Sequence, residues 1–329
     1  MPMFTLSLKN KVKNLRLAKK TFRFLQLKKA LIFPRQLVIE VTSLCNGRCI
    51  HCEYSKLDRP HAHMAMDLYK KIIDECHKFK KYCQSLSLYW MGEPLLDPTF
   101  FEKVKYATEK NSFAVSINSN GSLLTPENCQ KLIDSKLDQI IFGVDGATKE
   151  SYEAVRVGLS YQNVVEGIKR LAALKRKLNV KHPQIKVRMT LTPFNSHEID
   201  LFKKTWAGIA DRVFARDMHA WGGDTIDEKM RQYSYRHVKG DRSQSVPCLY
   251  LWRTMVVSQD GRVALCCVDA RLQQEIGDLH KESIDDVWHG ERLNKIRKMH
   301  LSGRMDEIHL CRGCNFRQTK GAPWWWYGK

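Results

Sequence analysis

The stretch QLVIEVTSLCNGRCIHC, residues 36–52, decides the fold. Its first half, QLVIEVT (36–42), reads as a short apolar strand, and its second half sets Cys45, Cys49 and Cys52 in a Cx3Cx2C loop directly behind that strand. In sheets built of strand–helix repeats, chemistry collects at the carboxyl ends of the strands, where this loop lies. Three thiolates on a tight loop can hold three irons of a cubane and leave the fourth iron open to an outside ligand. Zinc is the alternative on spacing alone, with His51 or His61 as a further donor.

Outward from that loop the pattern predicts helices over 66–79, 99–111, 126–136, 163–177 and 196–209. They alternate with strands over 85–90, 113–120, 139–146, 185–193 and 212–219. Strands of near-continuous apolar character between amphipathic helices mark a parallel sheet covered by helices. Six such units predict an α/β barrel or partial barrel.

Composition agrees with a folded chain: of 329 residues, 43% are hydrophobic and 27% charged. No apolar run reaches the roughly 18–20 residues of a membrane span, and MPMFTLSLKNKVKNLRLAKK (1–20) lacks the compact apolar segment of a signal peptide, so a cytoplasmic location is expected. Eleven cysteines in a reducing compartment speak for metal rather than disulfides. The net charge of +20 is concentrated at the start, where residues 1–39 carry ten Lys or Arg and no acid. Leu8, Val12, Leu15, Phe22 and Leu25 recur among those charges, predicting a basic amphipathic helix over 8–31. Three roles fit it: a helix packed on the main domain, a surface that recruits an anionic substrate or nucleic acid, or a weak membrane-surface contact. A zinc-stabilised nucleic-acid-binding protein is the competing class. The strand–helix repeats and the lack of any nucleic-acid-binding motif weigh against it.

The tail holds a second set of thiols: Cys248, the adjacent Cys266 and Cys267, and Cys311 and Cys314 of CRGC. TMVV (254–257) and RVAL (262–265), joined by SQDG, read as a hairpin that carries Cys266 toward a later loop. Adjacent strand side chains point apart, so Cys266 and Cys267 are not expected to serve the same metal. Four thiolates close a site with no open position, which suits electron transfer or, with zinc, a structural role.

Together the cysteine loop, MGEP (91–94), SINSNG (116–121), VDG (144–146) and YEAVR (152–156) resemble the radical S-adenosylmethionine (SAM) superfamily over about residues 35–220. His51 departs from it, standing where that family has an aromatic residue. The resemblance implies a partial (β/α)6 TIM barrel in which Cys45, Cys49 and Cys52 bind a [4Fe-4S] cluster whose open iron chelates SAM. One electron then releases a 5′-deoxyadenosyl radical that abstracts hydrogen from substrate. The resemblance implies Gly92 and Glu93 as SAM contacts, and Asn118, Asn120, Asp145, Arg156 and Arg188 as candidates for ribose, carboxylate or substrate.

The spacing from Cys248 through Gly261 to Cys266 resembles the opening of a SPASM-type C-terminal extension, here a small α+β unit. Only Cys311 and Cys314 follow the hairpin, so the resemblance implies one auxiliary [4Fe-4S] cluster on Cys248, Cys266, Cys311 and Cys314. Cys267 is then a core thiol, a hydrogen-atom donor to substrate, or a substitute for Cys266. The expected domains are a basic helix (1–35), the barrel (36–235) and the auxiliary-cluster unit (236–329), served by a flavodoxin- or ferredoxin-type donor. With 35 residues ahead of the first strand, the expectation tilts to oxidation or epimerisation of a small polar, carbohydrate- or aminocyclitol-like substrate, with a ribosomally made peptide as the alternative. His219 and Trp221 of HAWGG (219–223) are candidate substrate contacts, and the three tryptophans of GAPWWWYGK (321–329) are expected to be buried against the barrel.

Overall fold

The computed structural model describes residues 32–109, 113–218, 221, 247–312 and 314. The expected helix over 8–31, His219, the 235/236 domain boundary and the tryptophan run lie outside the described residues.

Six strands form the parallel part of the sheet: β1 (Gln36–Ile39), β2 (Ser85–Ser87), β3 (Ala114–Ser119), β4 (Gln139–Gly143), β5 (Gln184–Leu191) and β6 (Arg212–Asp217). Each pairs in parallel with the next. Between them run α1 (Met66–Lys78), α2 (Phe100–Glu109), α3 (Pro126–Asp134), α4 (Lys149–Val155) with α5 (Tyr161–Lys177), and α6 (Ile199–Trp206). Local chemistry sets the helix starts: Thr125 and Ser160 accept from the backbone N–H of Asn128 and Asn163, and Pro126 occupies the first turn of α3. In α1, Leu68, Tyr69, Ile72, Ile73 and Cys76 form one buried stripe against the sheet.

The strands are two-faced rather than apolar throughout. Leu37, Ile39, Leu86, Val115, Ile117, Ile140, Phe142, Ile185, Val187 and Met189 are buried in the core under the helices. The alternate positions, among them Ser87, Ser116, Asn118, Arg188, Thr190 and Arg216, point to the opposite, inner face. A closed small barrel would fill that space with branched apolar side chains. Here polar groups line it, which is the condition for a ligand site inside the curve of the sheet.

The tail is part of the same sheet. β7 (Thr254–Val257) pairs in parallel with β1, with Gln36 opposite Thr254 and Ile39 opposite Val257. β8 (Arg262–Ala264) and β9 (Glu275–Asp278) follow antiparallel, giving the order β6-β5-β4-β3-β2-β1-β7-β8-β9. The hairpin turn works as expected, with Gly261 at φ +81°, a conformation that glycine adopts without strain. α7 (Ile284–His289), started by a capping box of Ser283 and Asp286, and α8 (Glu291–Leu301) complete the unit. A buried ion pair ties the seam: Glu40, just after β1, accepts from both Arg59 Nη atoms at 2.7 Å and from the N–H of Gln259 at 3.2 Å. Arg59 also donates to the Gln259 side chain.

Candidate functional site

The cysteine loop is held from several sides. Cys45 N–H donates to Tyr54 Oη at 2.9 Å, and Arg48 Nη1 donates to the carbonyls of Cys45 and Gly47. The N–H groups of Arg48 and Ile50 donate to the carbonyls of Val157 and Val155, so the YEAVR segment runs beside the loop. Asn46 joins Asn120 and Ser122 at the end of β3, at 2.8 and 2.9 Å. Asn120 is thus placed as a support of the loop. Burial raises all three thiols, Cys45 to about 11 and Cys52 to about 12.

MGEP forms the neighbouring wall. A side chain on Gly92 would put its Cβ 2.1 Å from the carbonyl oxygen of Thr42, so the turn presses against the loop backbone only as glycine. That approach lets Glu93 N–H donate to Leu44 O at 2.8 Å. The buried Glu93 carboxylate accepts from Ser119 Oγ (2.8 Å), Asn120 N–H (2.6 Å) and Leu95 N–H (3.2 Å). Burial nevertheless raises its pKa. Of roughly four lone-pair positions on a carboxylate, one stays open for a donor from a ligand.

On the far side, Asp145 receives Arg156 Nε and Nη2, both at 2.8 Å, and Thr190 N–H at 2.6 Å, with His51 Nε2 at 3.4 Å. Burial pushes this carboxyl up, but Arg156, His51 and Thr190 together hold it below the usual carboxylate range. Gly143 makes the pairing feasible, since a Cβ there would lie 2.0 Å from Arg156 Nη2. Burial also lowers His51, to about 4, against the pull of Asp145. Several buried atoms around this space have no hydrogen-bond partner: His51 Nδ1, Asn118 Oδ1 and Arg188 Nε. Such groups cost stability unless something polar satisfies them, so the inner face fits a polar cofactor bound against the loop. Trp221 donates its Nε1–H to His51 O at 2.8 Å, which places it as a brace on the cysteine loop.

The tail thiols Cys248, Cys266, Cys267, Cys311 and Cys314 line one cavity together with His300. Cys266 responds first to burial and then to the charges of Cys267, Cys311 and Cys314. The expectation that Cys267 points away is corrected: β8 ends at Ala264, and a bend at 265–268 turns both adjacent thiols toward the cavity. They still differ in company. Cys267 packs with Val38, Val256, Trp90 and Tyr250 on the inner face, whose hydroxyl it meets. Cys76 and Cys129 are buried in helices, and Cys83 is buried just before β2.

Sequence reading missed His300, Tyr89 and Arg216. His300 is buried, its Nδ1 accepts from Cys248 N–H at 3.3 Å, and its Nε2 lies 3.4 Å from Cys311 Sγ. With Nδ1 accepting, the ring proton sits on Nε2 and points at the sulfur. Nothing in KIRKMHL (295–301) signals this. Tyr89 and Arg216 had a signal, since both stand at strand ends, β2 and β6, on the inner face.

Among the described residues, no three His, Cys, Asp or Glu side chains close on a point where one metal ion could sit. A zinc ion with four bonds of about 2.0–2.3 Å needs such convergence, whereas a cubane takes its ligands at separate corners. Both cysteine groups supply the sulfur donors that an iron-sulfur cluster takes.

Comparison with known proteins agrees. The family model described as the radical SAM superfamily matches residues 39–204, and that of an iron-sulfur cluster-binding SPASM domain matches residues 248–315. The tungsten-containing aldehyde ferredoxin oxidoreductase cofactor-modifying protein of Pyrococcus furiosus is 30% identical, covering 88% of this chain and 92% of that protein. A mycofactocin maturase of Mycobacterium tuberculosis is 28% identical, covering 66% of this chain and 55% of its own length. Among solved structures, BtrN in complex with AdoMet and 2-DOIA superposes with a TM-score of 0.57 at 20% identity, covering 86% of this chain and 93% of that one. Streptococcus suis SuiB bound to precursor peptide SuiA gives 0.65 at 15% identity, covering 87% and 72%. At those identities the two structures speak for the fold.

Proposed function

The chain belongs to the radical SAM superfamily and carries a C-terminal SPASM domain, and from that premise we propose that Cys45, Cys49 and Cys52 hold a SAM-binding [4Fe-4S] cluster and that Cys248, Cys266, Cys311 and Cys314 hold one auxiliary [4Fe-4S] cluster. Reduced by a flavodoxin- or ferredoxin-type donor, the first cluster and SAM supply a 5′-deoxyadenosyl radical for oxidation or epimerisation of substrate. The observation that carries this reading is the cradle around the cysteine loop. Glu93 has one acceptor position open for the SAM ammonium, and Arg156, fixed by Asp145, offers its charge beside Cys49 to a carboxylate. His51, neutral, and Asn118 present unsatisfied atoms to the ribose or the reacting end of a substrate. The tail thiols, walled by apolar side chains, take an electron-transfer role.

For the substrate, the maturase among the relatives supports a ribosomally made peptide over the carbohydrate-like molecule favoured by the sequence alone. The fold accommodates either class, as the bound precursor peptide in SuiB and the bound 2-DOIA in BtrN illustrate. A small polar substrate remains the second reading, favoured by the cofactor-modifying relative that this chain matches over 92% of its length. The test is 5′-deoxyadenosine formation from SAM under reducing conditions, followed by mass spectrometry. Wild type is expected to form it, Cys49→Ala is expected to form none, and Cys266→Ala is expected to keep at least part. Equal formation in all three contradicts the assignment.

A further inference from the structure

Among the buried polar atoms of the inner face without a hydrogen-bond partner is the Nε of a permanently basic group, Arg188. Arg188 sits on β5 opposite Gly143 of β4 and Phe214 of β6. Its neighbours Val187 and Met189 are fully buried under the helices, so Arg188 faces inward. Its Nε is buried without a hydrogen bond, and among the described residues no carboxylate lies within 4.0 Å of its guanidinium.

The nearby acid is already committed. Asp145 spends one oxygen on Thr190 N–H and the other on Arg156 and His51. Arg216, opposite Thr190, stands diagonally beside Arg188 on the same face and adds like charge. Burial and then Arg216 pull the Arg188 guanidinium down to about 9. Tyr89, from the end of β2 across the curve, brings a phenolic hydroxyl within electrostatic reach of both arginines and of Cys267. A cation buried without a counterion is costly, and a guanidinium fork is matched best by a carboxylate or phosphate.

The group adjoins the SAM cradle on the side toward the tail. Arg156 lies against the cysteine loop, whose backbone bonds run to residues 155 and 157. Arg188, Arg216 and Tyr89 lie between His51 of that loop and Cys267 of the tail. We propose that Arg188, with Tyr89 and Arg216, forms an oxyanion-binding subsite that holds a carboxylate or phosphate of the substrate between the two cysteine sites. This rests on the two-cluster reading given above, and it defines the substrate as anionic at one end, whether a peptide carboxylate or a phosphorylated small molecule.

Calorimetric titration of the reconstituted wild type with acetate and, separately, inorganic phosphate tests this, each with and without saturating SAM. At least one oxyanion is expected to bind alongside SAM, with acetate preferred for a carboxylate substrate and phosphate for a phosphorylated one. Arg188→Gln is expected to weaken that binding about tenfold or more with iron content unchanged. If Arg188→Gln loses its iron, Tyr89→Phe carries the test, with a several-fold loss expected. No binding to wild type, displacement of the oxyanion by SAM, or wild-type affinity in the scored variant overturns the subsite. A wild type that binds oxyanion through Arg188 but fails to bind SAM would instead overturn the cofactor reading and leave the subsite standing.

Discussion

Around Cys45, Cys49 and Cys52 the neighbours are charged or polar: Arg156, Asp145, Glu93, Asn46 and Asn120. Around Cys248, Cys266, Cys311 and Cys314 they are, among the described residues, mostly apolar, Leu251, Leu265, Val268 and Leu310, with Tyr250 and His300 adding polar atoms. The same ligand type thus sits in two dielectric settings. The first leaves polar atoms unpaired and lies in the curve of the sheet, where a polar cofactor and substrate can reach it. The second is lined mainly by apolar side chains among the described residues, a setting for an electron carrier or a structural centre rather than for bond-making chemistry.

The contrast can be broken most forcefully at the ion pair that polarises the first site. Arg156→Met strands Asp145 as a buried, partly unpaired carboxylate, and is expected to cost about 3–5 kcal/mol of stability together with SAM affinity. Chemical denaturation and equilibrium binding of SAM check both, and a variant of wild-type stability would show that the pair is not structural.

A smaller effect separates the second region by its pH response. Asp269 folds back on the N–H groups of Leu265, Gln273 and Gln274, and burial raises its carboxyl to about 6. An unfolded carboxyl titrates near 3.9, so between about pH 4 and pH 6 the folded state binds the extra proton, and stability from this residue is lost as pH rises through that window. Asp269→Asn removes this titration, so the stability difference between variant and wild type is expected to move in the variant's favour across the same window by at most about 3 kcal/mol, whatever hydrogen bonds the amide forfeits. Thermal midpoints of the two proteins at pH 4 and pH 7 check it, and a constant difference would contradict it.

The smallest expected effect is at His300. Its Nε2–H points at Cys311 Sγ, and hydrogen bonds to ligand sulfur stabilise the reduced, more negative cluster. His300→Leu is expected to lower the midpoint potential of the auxiliary cluster while the potential of the first cluster stays fixed. Potentiometric titration followed by electron paramagnetic resonance checks it; equal shifts at both clusters would deny that the two sites are electrically distinct.

The sequence made the alternation legible because each strand and helix carries its own local period, and helix ends such as Thr125–Pro126 and Ser160 are written in adjacent residues. The three-cysteine loop stood out by its spacing, and Glu93 only through the family resemblance of MGEP. What stayed hidden depends on pairing across the chain. The parallel register of Gln36 with Thr254 joins residues more than 200 apart, and no local pattern announces it. β9 is a four-residue strand, EIGD, with too few apolar positions to show a period, and α8 carries six charged or His side chains that mask its buried Leu293, Arg297 and His300. Cys266 and Cys267 were read as a strand pair, but the strand stops at Ala264 and a bend aims both inward.

The central claim, two clusters in two settings, is tested most directly by counting iron and acid-labile sulfide per chain after anaerobic reconstitution, with zinc measured alongside. Wild type is expected to hold about eight irons, and the Cys45/Cys49/Cys52 triple Ala variant about four, at the tail site. Iron content that the triple substitution leaves unchanged, or zinc in place of iron at either site, would contradict the account.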